Sequence, residues 1–135
     1  AGATAFAGKV VIDATNPLDF SKGFPPGLAI KGDDSAGEQL QRLIPDAKVV
    51  KAFNTAPNAL MFRPTVAGGP PSMFIAGNDA AAKATVTGIL TDFGWETVDI
   101  GLIDGSRYLE AMCIAWVRAC APTNDWRRAF KLVRG

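Results

Sequence analysis

Lys9-Val-Val-Ile-Asp-Ala-Thr-Asn-Pro17 decides how this chain is read. It is a short β-branched, apolar run that ends in small and amide residues. A second stretch, Lys48-Val-Val-Lys-Ala-Phe-Asn-Thr55, repeats the pattern. Such runs read as parallel strands buried on both faces, because helices cover each side of a parallel sheet. In open α/β sheets ligands bind beyond the carboxyl ends of the strands. The two amide-bearing tips are therefore candidates to line one crevice. Asp13 interrupts the first run and, buried by pattern, has to find hydrogen-bond partners.

Outward from these strands the chain alternates. Thr15 to Asp34 reads as a long loop punctuated by Pro17, Pro25 and Pro26. Ser35-x-x-Glu38 is a capping box, with Glu38 reaching back to the Ser35 backbone, and it opens a short helix that Pro45 stops. Asn58 to Phe62 is one helical turn. A third strand covers Ser72 to Ala76. Gly77-Asn-Asp79 turns and caps a helix from Ala80 to Phe93, with Val86, Ile89, Leu90 and Phe93 as its apolar stripe and Gly94 as its left-handed cap. Glu96 to Ile100 is a fourth strand. Asp104 or Ser106 caps a last long helix that buries Leu109, Met112, Cys113, Trp116, Val117 and Cys120. Asn124 to Val133 reads as a short basic helix. Strands and helices in alternation define the α/β class.

Composition narrows the function. One domain accounts for all 135 residues. A net charge of +1 gives no electrostatic case for nucleic acid or an anionic membrane. No apolar run approaches the ~20 residues of a membrane helix, and the N-terminal stretch lacks the basic start of a signal peptide. The absence of histidine removes His-based triads, His metal sites and His acid–base chemistry, and no metal is expected. Cys113 and Cys120 sit two helical turns apart, about 10 Å along an axis that rises ~1.5 Å per residue. They are too distant to bridge within one helix and read as packed small residues in a reducing, cytoplasmic compartment.

Lys9 to Leu18, Ala47 to Thr55, and Gly94-Trp-Glu-Thr-Val-Asp-Ile-Gly101 followed by Ser106-Arg-Tyr-Leu-Glu110 occur in that order. This ordered set resembles the later part of the F420-dependent NADP oxidoreductases and their dinucleotide-binding relatives. It is similar, too, to the cytoplasmic reductase domains of the six-helix metalloreductases. The resemblance runs from about Gly8 to about Met112. It implies a partial Rossmann-like, doubly wound sheet with a helical C-terminal segment. Residues 1–135 are then the C-terminal portion of an NADP-binding reductase fold. The family pattern opens with a G-x-G-x-x-G turn that holds the cofactor pyrophosphate at a helix N-terminus. No such motif occurs in this sequence, so NADP binding by this chain alone is expected to be weak or absent.

Two trios carry the candidate site. Thr15, Asn16 and Pro17 form an ordinary turn signal. The resemblance places the matching segment beside the nicotinamide end of NADP, with amide groups for the carboxamide and Pro17 as a flat wall. Phe53, Asn54 and Thr55 end the second strand. By resemblance that tip borders the hydride-transfer site, and Asn54 is the leading candidate. Phe53 also reads as a core residue. Arg107 and Glu110 read as structural, with Arg107 bridging to a neighbouring loop. Met112, Trp116 and Trp126 read as core or dimer interface before any flavin-stacking role. Arg118, Arg127, Arg128, Lys131 and Arg134 read as a solvated basic face.

No catalytic acid, base or nucleophile is expected, because the cofactors carry hydride chemistry and the protein orients them. The resemblance implies an oxidoreductase, or part of one, passing hydride between NADP(H) and a flavin or the deazaflavin F420. The alternative is a non-catalytic, truncated Rossmann-like module that oligomerises or pairs with another chain. The bare edge of the Lys9 to Ala14 strand favours a homo-oligomer or a complementing chain in either case.

Overall fold

The computed structural model describes residues 2–135. Four strands form the main sheet: β1 (Val10–Asp13), β4 (Lys48–Lys51), β5 (Ser72–Gly77) and β6 (Glu96–Asp99), in the order β1-β4-β5-β6. Two further strands, β2 (Leu18–Asp19) and β3 (Gly27–Leu28), make a small antiparallel hairpin inside the stretch read as a loop. Three helices complete the fold: α1 (Ala36–Leu43), α2 (Ala80–Asp92) and α3 (Ser106–Cys120). The α/β class read from the sequence is the class observed.

The sheet is mixed. β1 and β4 are parallel, as are β5 and β6, but β4 and β5 run antiparallel through Val50 opposite Gly77 and Lys51 opposite Ala76. Two neighbouring parallel strands need a long crossover, usually a helix. Helix α1 supplies one between β1 and β4, and α2 supplies one between β5 and β6. Between β4 and β5 there is only a 3-10 turn at Asn58–Leu60, among several prolines. The chain therefore returns without crossing over.

Helices cover both faces. Alternate residues of β4 point opposite ways, so Val50 joins Met73, Ile75, Val86, Leu90 and Trp95 in the core beneath α2. Val49 packs with Ile44, Ala47 and Ile103 on the face that carries α1. Asp79 caps α2 by accepting from the Ala82 amide at 2.7 Å. Gly94 closes the same helix at φ 87°, with its amide on Thr91 O and the Trp95 amide on Leu90 O. That double bond pattern needs a left-handed residue, which glycine adopts without a Cβ penalty.

Three local expectations are corrected. The Ser35 hydroxyl does accept from the Glu38 amide, but the Glu38 carboxylate receives the Ser35 hydroxyl and Arg107 rather than the Ser35 backbone. Neither Asp104 nor Ser106 caps α3, because a 3-10 turn at Ile103–Gly105 runs straight into it. Residues 124–133 are not helical. Asn124 turns left-handed, at φ 50°, and the tail then runs past the start of β5. There Phe130 O accepts from the Ser72 amide, and the Leu132 amide donates to Ser72 Oγ. These contacts reach back some sixty residues and replace the local bonds a helix would make.

The outer edge of β1 has no strand partner among the described residues. Val10 and Ile12 on it are 37% and 36% exposed. The bare apolar edge expected from the sequence is present.

Candidate functional site

Parallel pairing places the tips of β1 and β4 side by side, Asp13 opposite Lys51. The two trios therefore meet. Asn16 Nδ2 donates to Asn54 O at 2.8 Å, and Asn54 Nδ2 donates to Asn16 Oδ1 at 2.9 Å. The same Asn54 nitrogen donates to Leu109 O on α3 at 2.8 Å. Asn54 is only 5% exposed, and its Oδ1 is buried without a protein hydrogen bond. Asn54 thus fastens the tip of β4 to the first turn and to α3.

Thr15 is exposed, and Asn16 and Pro17 are half-buried. Phe53 and Thr55 are buried. Phe53 adopts φ 65°, a conformation rare for a bulky side chain. Its ring lies in the α2 core, 6.0 Å from that of Phe93. Of the six residues, the first trio is the more accessible. The second trio stands behind it as support.

Beneath the tips lies a charged layer that sequence reasoning missed. Lys51 is fully buried. Its ammonium lies 2.7 Å from Asp13 Oδ2 and 2.9 Å from Glu110 Oε1, and it donates a hydrogen bond of 2.8 Å to Thr15 O. Asp13 Oδ1 accepts from both the amide and the hydroxyl of Thr15, at 2.9 and 2.7 Å. Glu110 accepts from the amides of Ala36 and Gly37, each at 3.1 Å, so the positive end of α1 balances the second carboxylate. Gly37 is required here, since a Cβ would collide with the Ser106 side chain. Glu110 is therefore structural, as read from the sequence, with Lys51 as its buried partner.

Arg107 bridges to helix α1 rather than to a loop. Its Nε and Nη2 grip Glu38 bidentately, at 2.9 and 2.6 Å. This guanidinium holds the Glu38 carboxyl below its ordinary value, against the opposing effect of burial. Burial raises the Cys113 thiol, which Lys51 pulls partly back. Cys113 and Cys120 are both free and buried. Met112 and Trp116 are half-buried on α3, and Trp116 packs on Trp126 at 5.6 Å, with Phe24 at the far side of Trp126.

Asp13, read from the sequence as buried and in need of partners, belongs to this layer; the further signal was Lys51, a lysine inside a run otherwise read as buried. A groove of about 820 Å3 lies elsewhere, along β6 between Thr87, Thr91 and the tail at Lys131. None of the six candidate residues lines it.

The fold is a Rossmann-like α/β fold, and its likenesses among known proteins agree with the family read from the sequence. No family model matches the chain. A protein of Arthrobacter sp. FB24 with a solved structure, proposed to be an F420-dependent NADP reductase, shares 44% identity and superposes with a TM-score of 0.93. That match takes in 98% of this chain and 61% of the other. The hypothetical protein SMa0349 of Sinorhizobium meliloti shares 35% identity at a TM-score of 0.63, over 75% of this chain and 48% of its own. Metalloreductase STEAP3 of Rattus norvegicus is 29% identical over 110 residues, which is 82% of this chain and 21% of STEAP3. The resemblance to NADP-dependent reductases is thereby borne out in sequence and in fold. The chain spans about three fifths of the solved reductase and about a fifth of the metalloreductase.

Proposed function

We propose that the tips of β1 and β4 form the nicotinamide end of an NADP(H) site in an oxidoreductase. The acceptor would be a planar flavin or the deazaflavin F420. The reciprocal amide pair between Asn16 and Asn54 carries this reading. It fixes an outward-facing turn at the carboxyl end of two adjacent parallel strands, where ligands of such sheets bind.

The residues present fit one end of the cofactor. Each polar atom of the Asn16 amide is used once and keeps a second hydrogen-bonding position, which suits a carboxamide. Pro17 offers a flat apolar surface beside it. The sequence contains no glycine-rich turn for the pyrophosphate. A cofactor bound there supplies the hydride, and this chain orients the ring and shields it from water.

Asn16→Ala is the cleaner substitution, because Asn54 also bonds Leu109 O and its loss would disturb α3. NADPH is titrated into isotope-labelled chain while the Asn16 and Asn54 side-chain amide signals are followed. Movement of both signals at millimolar NADPH, with the Asn54 movement lost in Asn16→Ala at unchanged melting temperature, is the expected result. Signals that stay still, or move alike in the variant, would remove the tips from the site.

A further inference from the structure

We infer that Lys51 is a positioning residue, which sets the Thr15-Asn16 turn from below and so shapes the surface offered to the cofactor. This rests on the reading of the tips as the nicotinamide end.

The ammonium of Lys51 has three partners, one for each of its protons. It donates a hydrogen bond to Thr15 O at 2.8 Å and forms ion pairs with Asp13 Oδ2 at 2.7 Å and Glu110 Oε1 at 2.9 Å. Asp13 Oδ1 then takes the remaining polar groups of Thr15, its amide and its hydroxyl. One buried ion pair thus holds every polar atom of Thr15. The next residue is Asn16, whose amide is the more accessible half of the pair with buried Asn54.

A chain of fixed groups runs behind this contact. The amides of Ala36 and Gly37 at the start of α1 hold Glu110. Glu110 holds Lys51, and Lys51 holds Thr15 O. An apolar side chain of similar volume would fill the same space, often without loss of stability when the whole buried group is replaced together. It could not donate to Thr15 O. The burial of a cation at this point is therefore explained by what it holds rather than by the space it fills. Neither Asp13, Glu110 nor Lys51 reaches the surface, so the three act through the turn and not on a ligand.

Two measurements test this. In the unmodified chain, buried ammonium protons exchange slowly, and Lys51 Nζ should give a protected signal with cross-relaxation to Thr15. Absence of that signal in a folded sample overturns the inference. The second measurement uses the charge-free variant Asp13→Asn/Lys51→Met/Glu110→Gln, which leaves no unpaired buried charge if folded. Its melting transition is expected to stay cooperative while the Asn16 and Asn54 side-chain amide signals shift towards solvent-like positions. NADPH binding at the tips should weaken about tenfold, the scale of one lost hydrogen bond. Side-chain amide signals identical to those of the unmodified chain would show that Lys51 merely fills the interior, and would overturn the inference. Signals that shift while NADPH perturbs neither protein would uphold the positioning role and overturn the cofactor reading instead.

Discussion

The two faces of strand β4 differ more than any other neighbouring regions of the molecule. Val50 points beneath α2, into a cluster built from Met73, Ile75, Val86, Leu90 and Trp95. Lys51, the next residue, points the other way and meets Asp13 and Glu110. One face is closed by apolar area alone. The other carries a buried lysine, two carboxylates and, nearby, the Arg107–Glu38 pair and the Asn16–Asn54 amides. Apolar burial is tolerant of detail, since cores accept volume-conserving changes. Buried polar groups are directional and fail when one partner is removed. The α2 face accordingly supplies stability, and the opposite face supplies fixed geometry where the tips emerge.

This contrast breaks most readily at Lys51. Lys51→Ala strands two buried carboxylates and is expected to cost about 3–5 kcal/mol, the scale of a buried pair broken on one side. The urea midpoint should fall steeply, far enough to unfold a marginal domain. On the other face Leu90, fully buried, should cost about 3 kcal/mol when changed to alanine, from lost transfer energy and a cavity. The Leu90→Ala protein should keep the Asn16 and Asn54 amide signals of its parent. A shift of those signals on cavity formation beneath α2 would mean that the faces are not independent.

The smallest expected effect sharpens the comparison by pH. Arg107 depresses the Glu38 carboxyl in the folded protein from an ordinary value of 4.5. A depressed folded value means that the pair contributes above the unfolded value, and that the contribution is lost as pH falls through the folded one. Arg107 is about a third exposed, so the contribution stays below ~1 kcal/mol. Glu38→Gln should therefore lower stability slightly at pH 7 and flatten the decline below about pH 4.5. Equal slopes in the two proteins on acidification would show that solvent already screens the pair.

The legible parts of this fold are those with local causes. The β-branched runs at Val10–Asp13 and Lys48–Lys51, the Asp79 cap and the Gly94 terminator all speak through neighbours in sequence, and each was read in place. The meeting of the two trios followed from parallel pairing. Three features were not legible. Strand direction is not encoded in side-chain period, so the antiparallel step between β4 and β5 stayed hidden. Glu110 read as structural, but its partners could not be named because they lie at Ala36, Gly37 and Lys51, far away in sequence. The tail from Asn124 has helical composition, and its extended path depends on Ser72, sixty residues before Leu132 in the chain.

The mixed sheet has a consequence for how the molecule comes apart. β1, α1 and β4 form one continuous stretch of chain, and β5, α2 and β6 form another. Each has its own parallel ladder of four residue pairs. Only two residue pairs join the ladders, Val50 with Gly77 and Lys51 with Ala76. Proteins open in contiguous cooperative units, and those units part where backbone bonding is thinnest. The boundary between the two units thus runs down one side of β4. Side chains rather than backbone hold it closed, with α2 packed on β4, β5 and β6. In amide exchange the domain would behave as two blocks riveted by a helix, not as one uniform sheet. The tips of β1 and β4 are joined to each other within the first block, but Asn54 also bonds α3 and Phe53 packs in the core beneath α2, so opening of the second block would reach the β4 tip through Phe53.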